Sequence, residues 1–333
     1  HAFRSYRWAR TDVFTSFWLS DFYTSLGDNN LSNMGNKTSV VNERNKNLKL
    51  RHIVVGICLV VLAVSTSGSA SQKDGLLKIY FLDVGQGDAV FIETPNGNQV
   101  LIDGGPDNKV IQELAKVMPF YDKDIDLVVL SHPHADHVIG LIEVLNRYEV
   151  RNILEAKEKY DSPATPIWRK SIESENANEI EAIAGKTIEL GNDLTLKVLY
   201  PRRSLEGQTV KNPNNSSVVM MLGYKEIEIL LTGDIEAKVE KELLGEDIDA
   251  DILKTGHHGS RTSTTEEFLS EVSPQVAVIQ VGAKNRYGHP SPEVLKRLED
   301  YDIKYYRTDL DGTVKVVSDG ESYKIIKNQH DKD

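Results

Sequence analysis

The chain has 333 residues and a formal net charge of −11, from 39 Lys+Arg against 50 Asp+Glu, with 9 His and one Cys. At 40% hydrophobic, 27% charged and 7% aromatic it is too apolar for a disordered chain and too polar for a multi-span membrane protein. A single cysteine excludes an intramolecular disulfide framework and any zinc site built on paired thiolates, and the acidic balance argues against a broad basic surface for duplex DNA.

The charge is unevenly spread: residues 1–70 hold 8 Lys+Arg against 4 Asp+Glu, and residues 71–333 hold 31 against 46. Residues 1–33 begin with His1, show no clear period and read as an upstream or non-native segment, because Met34 directly precedes a basic stretch. Lys37 to His52 is basic, Ile53 to Val64 is a run of twelve apolar residues, and Ser65 to Ala70 is small and polar. That order reads residues 34–70 as a secretory signal peptide. Twelve apolar residues fall short of the roughly 20 that a membrane span needs, which favours a cleaved signal over an uncleaved N-terminal anchor. The expectation is a secreted or extracytoplasmic protein that meets a membrane only through that segment. Cys58 lies inside the apolar run, so the mature chain has no cysteine.

From Gly75 onward short apolar runs alternate with helical patterns. Leu77 to Val84 and Ala89 to Thr94 read as strands, with Pro95 to Asn98 as a hairpin turn into Gln99 to Asp103. Val110 to Met118 reads as a helix, Leu127 to Ser131 as a buried strand, Val138 to Tyr148 as a helix and Ser171 to Ala184 as a polar outer helix. Thr187 to Tyr200 makes a strand pair, Pro201 to Asn215 a polar loop, and Ser217 to Tyr224 with Ile227 to Thr232 a hairpin. Ala250 to Lys254, Thr264 to Val272, Val276 to Val281 and Ser291 to Tyr301 alternate strand and helix, and three short strands close the chain. This order predicts two sheets packed face to face with helices outside, in one domain over 75–327 followed by a polar tail over 328–333.

The chemistry gathers where strands end. Ser131-His132-Pro133-His134-Ala135-Asp136-His137 offers four potential ligands in six residues, with His132 and His134 two apart on an extended segment and Asp136 and His137 at a helix start. A second cluster, Lys254-Thr255-Gly256-His257-His258-Gly259-Ser260, follows another strand. Imidazoles and carboxylates that converge in this way suit a divalent metal.

The pattern H-x-H-x-D-H after a hydrophobic strand resembles the metallo-β-lactamase fold hydrolases. Phe81 to Ala89, Leu101-Ile102-Asp103-Gly104-Gly105, Asn214-Asn215-Ser216-Ser217, Leu231-Thr232-Gly233-Asp234 and Gly256 to Ser260 are similar to the hydrolase domain of the ComEC-type competence proteins and their free-standing secreted relatives. The resemblance implies an α/β fold of metallo-β-lactamase type, an αββα four-layer sandwich, with two divalent metal ions, zinc or manganese, at one sheet edge. It implies a first ion on His132, His134 and Asp234 and a second on Asp136, His137, Asp234 and one of the paired histidines. Gly259 after His258 favours His258 as the ligand, with His257 facing substrate. The expected catalytic residues are Asp136, His257 and Asp103, the last orienting a ligand or a bound water. Ser217, Asn215, Ser260 and His289 are expected to hold substrate.

Many members of the wider fold supply a further histidine to the first ion, yet residues 138–256 contain none, and Asn214 to Ser217 take that place. The expected activity is therefore metal-dependent hydrolysis of a phosphodiester by a metal-bridging hydroxide, the substrate being single-stranded nucleic acid or an envelope phosphate ester. The alternatives are a lactamase, lactonase or thioesterase type of hydrolase and a non-catalytic metal-binding module.

Overall fold

The computed structural model describes residues 74–191 and 193–327. The expectations for residues 1–33, for the leader over 34–70 with Cys58, and for the polar tail over 328–333 lie outside the described residues.

Strands β1 (Leu77–Phe81), β2 (Val90–Glu93), β3 (Gln99–Ile102), β4 (Asp124–Val129), β5 (Glu149–Glu155) and β6 (Asn178–Glu181) belong to one sheet, which β14 (Val314–Ser318) and β15 (Tyr323–Lys327) complete in the order β15-β14-β1-β2-β3-β4-β5-β6. The second sheet, in the order β13-β12-β11-β10-β9-β8-β7, consists of β7 (Thr187–Gly191), β8 (Leu194–Tyr200), β9 (Val219–Tyr224), β10 (Ile227–Leu231), β11 (Ile252–Lys254), β12 (Val276–Ile279) and β13 (Lys304–Arg307). Each sheet is mixed. The pairs from β14 to β3 are antiparallel and those from β3 to β6 parallel, and in the second sheet β7 to β10 pair antiparallel and β10 to β13 parallel.

Three buried clusters define the layers. Ile79, Phe81, Ile92 and Val129 of the first sheet meet Leu196, Met220, Ile229 and Val278 of the second. On the outer face of the first sheet, Tyr80, Phe91 and Val128 pack against α1 (Lys109–Val117), α2 (Ala135–Leu145) and α3 (Ala164–Glu175). On the outer face of the second, Leu230, Leu253 and Ala277 pack against α4 (Ala237–Leu243), α5 (Glu266–Val272) and α6 (Pro292–Asp300). Alternate residues of one strand thus enter different cores, which is why the strands read as unbroken apolar runs rather than as an apolar and polar alternation. The result is the α–β–β–α sandwich, with a short turn of helix α7 (Thr308–Asp311) before the last strands. No helix among the described residues is long and apolar enough to cross a membrane.

One expected helix is placed differently from its sequence reading. The polar helix expected over 171–184 is α3, which starts at Ala164, seven residues earlier, and β6 follows it. Trp168 and Ile172, one turn apart, bury against the first sheet. Asn176 then adopts φ 57 and returns its N–H to Ile172 O, which closes the helix and frees Asn178–Glu181 to pair with β5.

Candidate metal centre

The ligand-type residues leave the carboxyl ends of strands from both sheets: Asp103 after β3, His132 to His137 after β4, Asp234 after β10, and His257 and His258 after β11. Two backbone approaches bring them together. Gly104 lies against Gly140 of α2, so closely that a Cβ on Gly140 would stand 1.7 Å from the Gly104 carbonyl oxygen. Gly104 N–H also donates to His137 O at 2.8 Å. This contact seats the N-terminal turn of α2, with Asp136 and His137, beside Asp103. The second approach is at Gly87, which has φ 147 and meets the Asp136 carbonyl where a Cβ would be 2.3 Å away, and it carries Asp88 into the same space.

Asp234 is the centre of the arrangement. Its Oδ2 lies 3.3 Å from His137 Nε2, 3.4 Å from His258 Nε2 and 3.9 Å from His132 Nε2. Its backbone N–H donates to Ser217 Oγ at 3.1 Å, which fixes the Thr232-Gly233-Asp234 turn. His134 Nδ1 stands 3.0 Å from His132 Nε2, and Asp136 Oδ2 lies 3.3 Å from His258 Nε2. Asp103 holds His137 from behind. Its Oδ2 lies 2.8 Å from His137 Nδ1 and accepts from Ser131 Oγ at 2.6 Å, while Oδ1 accepts from Ser131 N–H at 2.8 Å.

The two adjacent histidines part company because both adopt left-handed backbone angles, φ 48 and φ 54. His258 is buried, with Nδ1 on the Gln280 carbonyl at 3.0 Å and Nε2 toward Asp136 and Asp234. His257 remains a quarter exposed at the rim, beside the Asn214 amide at 3.4 Å and Glu236 at 3.7 Å, and its ring is 5.6 Å from that of His289.

These residues fit divalent ions. His137 Nε2 and His258 Nε2 are buried with no hydrogen-bond partner among the described residues. Buried polar atoms are rarely left so unless something else meets them. Three-residue groups with ligand atoms mutually within 4.8 Å are His132, His137 and Asp234; Asp136, His137 and His258; and Asp88, Asp234 and His258. The electrostatics agree. Burial opposes a charge on His258, yet Asp234 and Asp88 outweigh it and raise its pKa to about 10. Asp234 and Asp103 likewise overcome burial and hold His137 well above the usual histidine range. The cluster thus draws positive charge inward, and a metal ion satisfies that demand by displacing protons from the imidazoles.

The other expected substrate contacts are differently engaged. Ser217 is fully buried and accepts the Asp234 N–H. Asn215 clamps Glu236, with Oδ1 accepting from its N–H at 3.2 Å and Nδ2 donating to Oε2 at 3.0 Å. Ser260 pairs with Thr262 Oγ1 at 3.0 Å. From the Asn214 to Ser217 turn it is Asn214 whose side chain reaches the rim, beside His257. His289 also stands there, and burial with the nearby His257 lowers its pKa to about 4, leaving it neutral at ordinary pH.

For two members of the cluster sequence reasoning assigns no definite role: Asp88 stands open between lining the pocket and shaping its Gly-rich turn, and Lys254 is not singled out. Asp88 Oδ1 lies 3.2 Å from His258 Nδ1, and Lys254 pairs with Asp88 Oδ2. A signal for Lys254 exists: a lysine closing the apolar strand Ile252-Leu253, in a sheet covered on both faces, must find buried partners.

This fold and site define a class. The metallo-beta-lactamase superfamily model matches residues 82–283, and the chain belongs to that superfamily. Among relatives, ComE operon protein 3 of Bacillus subtilis (strain 168) is 30% identical over 278 residues, covering 78% of this chain and 35% of that protein. Competence protein ComA of Neisseria gonorrhoeae is 38% identical over 104 residues, 30% of this chain and 15% of that one. The similarity to competence proteins read in the motifs is thus present along the chain, which spans about a third or less of the length of these relatives. Among solved structures, the metallo-beta-lactamase fold protein YhfI from Bacillus subtilis has a TM-score of 0.46 at 12% identity, covering 69% of this chain and 95% of that one.

Proposed function

We propose that this chain is a binuclear metal-dependent phosphodiesterase whose substrate is a single-stranded nucleic acid or another small phosphate ester of the cell envelope. The observation that carries the reading is the convergence of His132, His137 and His258 on one oxygen of Asp234, with His137 Nε2 and His258 Nε2 buried and without a hydrogen-bond partner among the described residues. Bound zinc or manganese ions would polarise a phosphoryl oxygen and lower the pKa of a water.

The chain's own groups supply the rest. Asp103 fixes the His137 ring, and the Gln280 carbonyl fixes that of His258. On the side where the wider fold often carries another imidazole, this site has the Asn214 amide, a neutral donor suited to a phosphate oxygen. His257, partly exposed and held neutral by burial, is disposed to take or give a proton at the rim. With Asp103 and Asp234 buried, the acidic cluster suits a short ester held by metal rather than a coated duplex. Extracytoplasmic action rests on the sequence order of residues 37–70 alone.

The test is turnover by the full chain, loaded with manganese or zinc, on bis-p-nitrophenyl phosphate, single-stranded DNA and nitrocefin side by side. Diester cleavage abolished by chelation is expected. Lactam turnover without diester cleavage would overturn the reading, and two bound ions with no turnover would favour a metal-binding module.

A further inference from the structure

Lys254 is one of the largest fully buried side chains of the protein, and the cluster described so far gives it no task. Its ammonium pairs with Asp88 Oδ2, donates to the Gly233 carbonyl at 3.0 Å and lies 3.8 Å from Asp234 Oδ1. The ammonium thus has one carboxylate and one carbonyl in direct contact and a second carboxylate at ion-pair distance. A small cavity between the sheets is lined by Lys254, Asp88 and Asp103 together with apolar residues of both sheets, and the ammonium borders the metal centre through Asp88 and Asp234.

The two oxygens of Asp234 are therefore divided. Oδ2 faces three imidazoles, and Oδ1 faces Lys254. Asp88 is divided in the same way, with Oδ1 on His258 and Oδ2 on Lys254. Asp88, Asp234 and His258 also form a possible ligand group, which the ammonium closes from one side.

We propose that Lys254 is a fixed cation and positioning residue of the metal centre: it holds Asp88 and the far oxygen of Asp234, so that Asp234 presents a single oxygen to the ions and Asp88 stays out of their coordination. This inference rests on the metal-centre reading above. The geometry makes it testable by sign. An ammonium acting only through its field would repel divalent ions, and its removal would tighten binding. An ammonium that positions Asp234 makes binding weaker when it is lost, by the 10- to 100-fold typical of groups that orient ligands.

The experiment uses the full chain and its Lys254→Met and Lys254→Met/Asp88→Asn forms. The double variant removes one positive and one negative charge, so the net charge is kept and Asp88 is not left as an unpaired buried carboxylate. Metal content is measured by elemental analysis and affinity by competition with a chromophoric chelator, for manganese and zinc separately. The expected result is a loss of at least tenfold in affinity for one ion in both variants, with the unfolding midpoint of the double variant in EDTA closer to that of the native chain than the single variant's. Should Lys254→Met fail to fold, the double variant decides alone. Native or tightened affinity in the double variant overturns the proposal, whereas absence of metal from the native chain overturns the metal-centre reading itself.

Discussion

Asp103 and His137, 34 residues apart in sequence, are joined through Asp103 Oδ2 and His137 Nδ1 at 2.8 Å. With the proton on Nδ1, the His137 Nε2 lone pair turns toward Asp234, and the ring cannot rotate away without breaking a buried contact. Asp103 has φ 60, a backbone conformation that asparagine also tolerates. Asp103→Asn is therefore expected to leave the metal-free fold near native stability while lowering metal affinity about 10- to 100-fold. Urea unfolding in EDTA measures the first effect and chelator competition the second; undiminished affinity would mean that His137 is oriented by something else.

The paired histidines provide a second test. His258 Nε2 faces Asp136 and Asp234, whereas His257 faces the Asn214 amide and Glu236 at the rim. His258→Ala is expected to lose an ion by elemental analysis. His257→Ala is expected to keep full metal content and to lose roughly 10²- to 10⁴-fold in diester turnover, the usual worth of a proton-transfer group. Loss of metal from His257→Ala with retention in His258→Ala would reverse the assignment.

Glu158 gives a pH dependence. It is buried, and desolvation raises its pKa from 4.5 to about 7 even though the Ser216 hydroxyl donates to it at 2.7 Å. Because the folded-state value is the higher one, the folded state binds the extra proton. Its contribution is complete below pH 4.5 and is lost as pH rises through 7, to a total of about 3 kcal/mol. Glu158→Gln should remove that slope. Urea unfolding of both proteins at pH 5, 6.5 and 8, all values within or just beyond this window, should show the stability of the native chain falling relative to the variant. Parallel curves would contradict the assignment.

Gly140 tests the seat of α2. Alanine in a helix interior ordinarily gains about 1 kcal/mol over glycine. Here the new Cβ would stand 1.7 Å from Gly104 O, and backbone must move. Gly140→Ala is expected to cost roughly 1–3 kcal/mol net, seen in calorimetry as a melting point lower by several degrees, together with weaker metal binding as Asp136 and His137 shift. A melting point that rises would mean that the close approach is not needed.

Much of this was legible because its determinants are local. His132, His134, Asp136 and His137 lie in six consecutive residues, and an extended segment that enters a helix leaves their side chains little choice of direction. The sandwich followed from the order of strand-rich and helical stretches along the chain. What escaped notice depends on partners distant in sequence. The role of Asp88 requires Lys254, 166 residues later, and that of Glu158 requires Ser216. Neither β5 nor α4 was foreseen, since Arg151 and Asn152 interrupt the apolar run of the one and α4 has only seven residues. The end of α3 was misjudged because Asn176 stops it through a backbone angle, with no proline or glycine to mark the place.

The pairing of β1 with β14, in which Leu77 stands opposite Ser318 and Phe81 opposite Val314, has a consequence for biosynthesis. While the polypeptide is being made, β1 can take up β2 on one side at once, but its other edge stays open until more than two hundred further residues have been added. An unpaired strand edge is a template for aggregation. A nascent chain that has emerged as far as β13 therefore still carries that hazard, which the arrival of β14 removes by covering the open edge of β1.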